Sequence, residues 1–213
     1  MSAFRFGPDA GLPAGFALCP AGTGLLRGHS PDREPAWFGP AIGARGSNRF
    51  DLPQRESASD PGVCYLAPTL EGVLLERVIR DIRRDVLSIR TVNRQHAVTR
   101  VTTKRDLLLI DLLVAPWIPH GIQVGDLVSP PPYDVTQRLA ARLASMTPDE
   151  SDGGPPALPD GIVYGSRFGA AIECLALWDR AADALEWHDK TPLGGDENAL
   201  AAGCLRLGIG LLQ

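Results

Sequence analysis

Five polar residues stand at places where the chain's own punctuation would present them to a ligand. Arg27 follows Leu25 and Leu26 and precedes a long turn-rich stretch. Arg49 lies inside that stretch, between Asn48 and Phe50. Tyr65 sits in the apolar run VCYLA, Glu76 in a helical segment about 110° off the centre of its apolar face, and Ser166 at the end of GIVYG beside Arg167. A guanidinium fork matches phosphate or carboxylate oxygens, and a carboxylate favours a developing cation. Each residue also has a plain structural explanation. The arginines suit solvated surface charges, and Tyr65 suits a core aromatic with a bonded hydroxyl. Glu76 precedes Arg80 by four, the favourable order for a helix ion pair. Ser166 after Gly165 suits a turn. On types and spacing alone, the chain is an α+β protein with an anion-binding possibility.

Familiar chemistries are missing. There is no GxxxxGK[ST] phosphate loop and no GxSxG elbow, and GARGSN at 43–48 precedes no clear helix. His29, His96, His120 and His188 are scattered, with no HExxH and no Cys/His cluster, so a metal site has no support. Cys19, Cys64, Cys174 and Cys204 form no CxxC pair and read as reduced thiols of a cytoplasmic protein. No apolar run approaches the ~18 residues of a membrane span, and no secretory signal is visible. The net charge of -4 disfavours a nucleic-acid partner. The charge is uneven: residues 71–105 hold nine Arg or Lys against four Asp or Glu. Such a segment suits a small anion as well as it suits a solvated helix face.

The elements that must position these residues can be read in outline. With 213 residues, one domain is favoured over two. Residues 1–24, rich in Gly, Ala and Pro, read as an irregular leader. Residues 28–62 read as a long loop, partly ordered by Trp37, Phe38 and Phe50. A strand over 63–67, a tight turn capped by Thr69 and a helix to about 85 follow, with Leu75, Val78, Ile79 and Ile82 on one helical face. Strands are expected over 97–102 and 106–115, a helix over 133–146, and an acidic surface loop over 147–159. Strands are expected again over 161–165, 171–178 and 185–188, while periodicity leaves 199–213 open between helix and strand. Strands in runs with few helices make the class α+β.

Taken in order, these segments resemble the RES domain family, named for Arg, Glu and Ser. LLRG supplies Arg27, and NRF supplies Arg49 where the family usually has Gly-Arg-Phe. GVCYLAPTLEGVLLERVIR matches the family's strand–turn–helix, with Tyr65 followed eleven positions later by Glu76. PDGIVYGSR ends in Ser166, and YDVTQRLA, with Thr136 and Gln137, is also similar. The resemblance runs from about Leu25 to Trp178. It departs at Asn48 and in a longer stretch, Asp51–Pro61, before the Tyr strand.

The resemblance implies an ADP-ribosyltransferase-like fold, two small split sheets around an NAD cleft, within one domain over 25–213. It implies an enzyme that cleaves the nicotinamide–ribose bond of NAD by phosphorolysis or hydrolysis, without a metal, as the toxin of a toxin–antitoxin pair. Inorganic phosphate or water would be the acceptor and an Xre-like antitoxin the protein partner. Arg27, Glu76 and Ser166 would be catalytic; Arg27, Arg49, Tyr65 and Ser166 would bind NAD. Alternatives are a protein ADP-ribosyltransferase and an inactive module that binds NAD or a partner.

Overall fold

The computed structural model describes residues 2–6, 12, 15–79, 86–113, 123–128, 130–145 and 158–212. The first strands among them are β1 (Arg5–Phe6), β2 (Phe16–Cys19), β3 (Gly24–His29) and β4 (Val63–Leu66). Helix α1 (Leu70–Val73) follows and continues without a break as a π-helical turn over Leu74–Val78. Then come β5 (Val86–Ser88), α2 (Ile89–Gln95), β6 (Ala97–Thr103), β7 (Leu107–Asp111), α3 (Val124–Val128) and α4 (Asp134–Ala144). The chain closes with β8 (Gly161–Ser166), β9 (Gly169–Trp178), a 3-10 turn, β10 (Leu185–Pro192), α5 (Glu197–Arg206) and β11 (Gly210–Leu212).

The fold is α+β, as the order of segments requires. The larger sheet runs β1-β2-β7-β8-β9-β4 and is antiparallel except where β7 lies parallel to β8. A second sheet, β10-β6-β3, is antiparallel throughout. The two sheets touch through one bridge, in which Leu26 and Ala67 exchange backbone hydrogen bonds of 2.8 and 2.9 Å. Arg27 and Tyr65 stand beside that seam.

Period-2 alternation explains why the central strands stay together. Ile162 and Tyr164 of β8, with Cys174, Ala176 and Trp178 of β9, fill one core. Val163, Leu175 and Leu177 point the other way, into a second core with Phe4, Leu25 and Leu107. Both faces of β8 and of the Cys174–Trp178 half of β9 are therefore dry, and each such aliphatic side chain contributes about 1.5–3 kcal/mol of burial. The site residues at the ends of these strands sit on a rigid support.

Several expectations change. Within the stretch expected as an irregular leader, the described residues include two strands: β1 pairs with β2, β2 pairs with β7, and Phe4 is buried, while residues 1, 7–11, 13 and 14 lie outside the described residues. These strands are too short to show a periodic signal, and the partner of β2 lies about ninety residues away. The helix expected to about 85 becomes π-helical from Leu74, and residues 80–85 lie outside the described residues. Thr69 caps it as expected, its hydroxyl accepting from the Gly72 N–H at 3.3 Å. The expected strand at 185–188 extends to Pro192. The open tail is both helix and strand, with β11 lying parallel to β5. No helix among the described residues is long and apolar enough to cross a membrane.

Candidate active site

A cleft opens at the seam between the sheets. Its described lining includes Arg27, Gly28, His29 and Ser30 of β3 and its exit, Arg33 and Trp37 of the following loop, and Asn48 and Arg49. Tyr65 of β4, Glu76 and Arg77 of the π-helical turn, Tyr133, Tyr164 and Arg167 complete the polar wall. Five arginines thus share this described lining with one carboxylate. A roomier groove beside β6, β10 and α5 has Arg100 as the one arginine of its described lining and lacks this concentration of charge.

Glu76 is the centre of the arrangement. Both its carboxylate oxygens lie 3.3 Å from Arg49 Nη2, and Oε2 accepts from the Tyr164 hydroxyl at 3.4 Å. The expected partner Arg80 lies outside the described residues, and the pairing seen is with a loop residue 27 positions earlier. The π turn has a wider helical step than an α-helix, a feature frequent at functional sites, and here Glu76 faces the cleft. The Glu76 side chain is 22% exposed and that of Arg49 5%. A ligand in the cleft can therefore reach the carboxylate, while the guanidinium is built in.

Arg49 is fixed from three sides. Its Nη1 donates to Leu127 O at 2.7 Å and to Gly165 O at 3.5 Å, and its guanidinium carbon lies 4.7 Å from the Tyr164 ring centre. The loop that carries it is organised by Asp51, which is buried. That carboxylate accepts from Ser47 N, Asn48 N and Asn48 Nδ2 at 2.8–3.0 Å, and from the Tyr65 hydroxyl at 3.0 Å. The Tyr65 oxygen in turn accepts from Phe50 N at 2.9 Å. Burial first, and the Asp51 charge second, push the Tyr65 hydroxyl well above the usual tyrosine range, so it stays a donor. Gln137 of α4 donates to Asn48 O at 3.0 Å. Gly46 is required here, because a Cβ would lie 2.2 Å from Leu52 O.

Arg27 is 5% exposed and donates through Nη1 to Pro35 O and through Nη2 to Trp37 O, the latter at 2.5 Å. It fixes the loop that closes one side of the cleft. Burial lowers its pKa, as does the positive charge of Arg33. His29 next along is also buried. Its Nδ1 donates to Ser30 O and its Nε2 stands 2.9 Å from the Thr99 hydroxyl. Burial lowers its pKa, and the charges of Arg27, Lys190 and Arg77 add to that effect. The imidazole is therefore held neutral among cations. Gly28 allows the π turn to approach β3, since a Cβ would lie 2.6 Å from Val73 Cγ1 and 3.2 Å from Arg77 Cβ. Arg77 then donates to Ser30 Oγ at 2.7 Å.

Of the residues expected from the sequence, Arg27, Arg49, Tyr65 and Glu76 line this one cleft. Ser166 is fully buried and is not among the described lining residues; its hydroxyl accepts from Phe168 N in the turn between β8 and β9. Its neighbours face the cleft instead. Tyr164 precedes it by two on the same strand face, and Arg167 donates to the Tyr133 hydroxyl at 3.1 Å. Sequence reading missed Tyr164, Arg77, Arg33 and Trp37. Strand alternation from Ser166 and the adjacency of Arg77 to Glu76 were the available signals. Among the described residues no group of three or more His, Cys, Asp or Glu is placed to hold a metal ion.

This geometry defines an α+β protein with a cation-lined cleft around a single carboxylate. The model of the RES domain family matches residues 25–196, and the chain belongs to that family. Among solved structures, the M. tuberculosis MbcT–MbcA toxin–antitoxin complex contains a chain 15% identical to this one. The match covers 81% of this chain and 86% of that one, with a TM-score of 0.49. No curated protein matches the sequence.

Proposed function

We propose that this protein is the toxin of a toxin–antitoxin pair and that it destroys NAD by breaking the nicotinamide–ribose bond. The observation that carries the reading is the cleft itself, five arginines against one accessible carboxylate, in a member of the RES domain family. A dinucleotide presents a diphosphate beside a pyridinium ribose. Its leaving group is already neutral once the C1′–N bond breaks and the electron pair goes to the pyridine nitrogen. The protein has to bind the diphosphate, hold the ribose and place negative charge near the oxocarbenium that develops.

In this reading Glu76 stabilises the ribosyl cation. Tyr164 and Arg49 hold its carboxylate in place, and Tyr65, its hydroxyl tied to Asp51, offers a fixed ring to nicotinamide. Arg27 and Arg77 supply the positive wall for the diphosphate. Ser166 acts through the turn that carries Arg167. The attacking oxygen comes from phosphate or from water, and water would release one proton as ADP-ribose forms. Arg49, the second cation expected for an incoming phosphate, is held by Glu76 and two carbonyls and acts on that phosphate through its charge. The antitoxin, Xre-like by family, would cover the cleft. The cellular test is expression of the chain alone, which should lower cellular NAD and stop growth. Co-expression with the neighbouring gene product should restore both. Undiminished NAD during growth arrest would refute the assignment.

A further inference from the structure

The contacts string the cleft into one order. Glu76, with Arg49 and Tyr164, forms one end. Arg77, next to Glu76 in the chain, reaches Ser30 at the exit of β3. Arg27, on the same strand, grips the carbonyls of Pro35 and Trp37. Trp37 carries the exposed Arg33 guanidinium 4.1 Å from its ring centre. The segment 30–37 is therefore a strap clamped by three cations, the third being Lys190, whose Nζ donates to Pro31 O at 2.7 Å.

The indole is seated as well as reached. Its edge fills the space that Gly39 leaves, where a Cβ would lie 2.0 Å from Cη2. Trp37 nevertheless lines the cleft and is half-buried. An exposed Arg–Trp stack adds little stability, so stability does not explain why the strap is clamped to hold it there. A flat aromatic and a guanidinium plane are both surfaces on which a nucleobase stacks.

We propose that Trp37 and Arg33 form the subsite for the second base of the dinucleotide, a purine ring stacked at the mouth of the cleft. The proposal rests on the NAD-cleaving reading and deepens it. The order carboxylate, arginines, Trp–Arg stack matches the order ribosyl centre, diphosphate, purine nucleoside in the substrate. Arg27 is then a positioning residue for the base as well as a source of charge for the phosphates.

The test compares NAD with nicotinamide mononucleotide, which keeps the scissile bond but lacks the adenylate half. Trp37→Ala should lower the preference for NAD, as the ratio of the two kcat/KM values, about tenfold or more. Trp37→Phe, which keeps an aromatic face, should recover most of it. Calorimetric titration with ADP-ribose should show a parallel loss of affinity in Trp37→Ala. An unchanged preference, with both substrates slowed together, would overturn the proposal and leave Trp37 as a prop for the strap. If the wild type releases no nicotinamide from either substrate, the titration still decides. ADP-ribose binding that Trp37→Ala weakens would uphold the subsite while the cleavage reading falls; no ADP-ribose binding by the wild type would overturn the subsite.

Discussion

Replacing Glu76 by Gln separates a catalytic carboxylate from a structural one. Gln keeps the size and an oxygen for Arg49 and Tyr164 but removes the charge. If Glu76 were half of an exposed helix ion pair, the change would cost about 0.3–0.5 kcal/mol and no activity. The structure predicts otherwise. Arg49 is 95% removed from solvent and meets both carboxylate oxygens at 3.3 Å. Leu127 O and Gly165 O continue to hold it in the variant. Stability should therefore fall by about 1–2 kcal/mol, less than the ~3–5 kcal/mol of a fully buried pair broken at one partner. For a chain of this size that is a melting shift of roughly 2–8 °C. The rate should fall much further. Electrostatic contacts to a developing charge are worth on the order of 3 kcal/mol, at least a hundredfold. KM should change little, because the ground-state ribose has little of that charge. Nicotinamide release and thermal melts measure both quantities. A folded Glu76→Gln variant within threefold of wild type would refute the reasoning.

Arg27→Ala should leave the carbonyls of Pro35 and Trp37 without donors, cost about 1–3 kcal/mol of stability, and slow nicotinamide release at least tenfold. Limited proteolysis should then cut first within residues 30–37, and a strap as resistant as wild type would contradict the assigned clamp. Stability should also fall on the alkaline side. Burial pushes the Cys19 and Cys64 thiols from 9.0 up to about 11, and raises Tyr65 and Tyr164 well above 10.0. Above those ordinary values the unfolded chain gives up protons that the folded chain keeps, so each such group costs about 1.4 kcal/mol per pH unit. Urea midpoints under reducing conditions should decline from about pH 9 upward. Constant midpoints to pH 10.5 would contradict the burial of these groups.

Local signals made part of this molecule legible. The apolar run at 63–67, the cap at Thr69 and the strand expected over 97–102 act over a few residues, and all appear in the fold. The aromatics of the long loop behaved as expected, with Phe50 fully buried. β1 and β2 were not legible, because two to four residues show no period and their pairing is decided by the distant β7. The family pattern pointed to Arg27, Arg49, Tyr65 and Glu76, and the fold gathers them from four separate segments. The same pattern could not show which group each guanidinium grips. Arg27 is spent largely on two carbonyls, and Arg49 on the carboxylate that spacing had given to Arg80. Arg33 and Trp37 come to the cleft on a strap that Arg27, Arg77 and Lys190 hold, contacts no local pattern in the sequence shows.

Cleavage of NAD at the nicotinamide–ribose bond leaves products that can be read directly. Its most direct test is to incubate the purified chain with NAD, with and without inorganic phosphate, and to identify the products by mass spectrometry. Stoichiometric nicotinamide is expected, together with ADP-ribose 1-phosphate where phosphate is the acceptor or ADP-ribose where water is. NAD left intact under both conditions by a folded protein would contradict it.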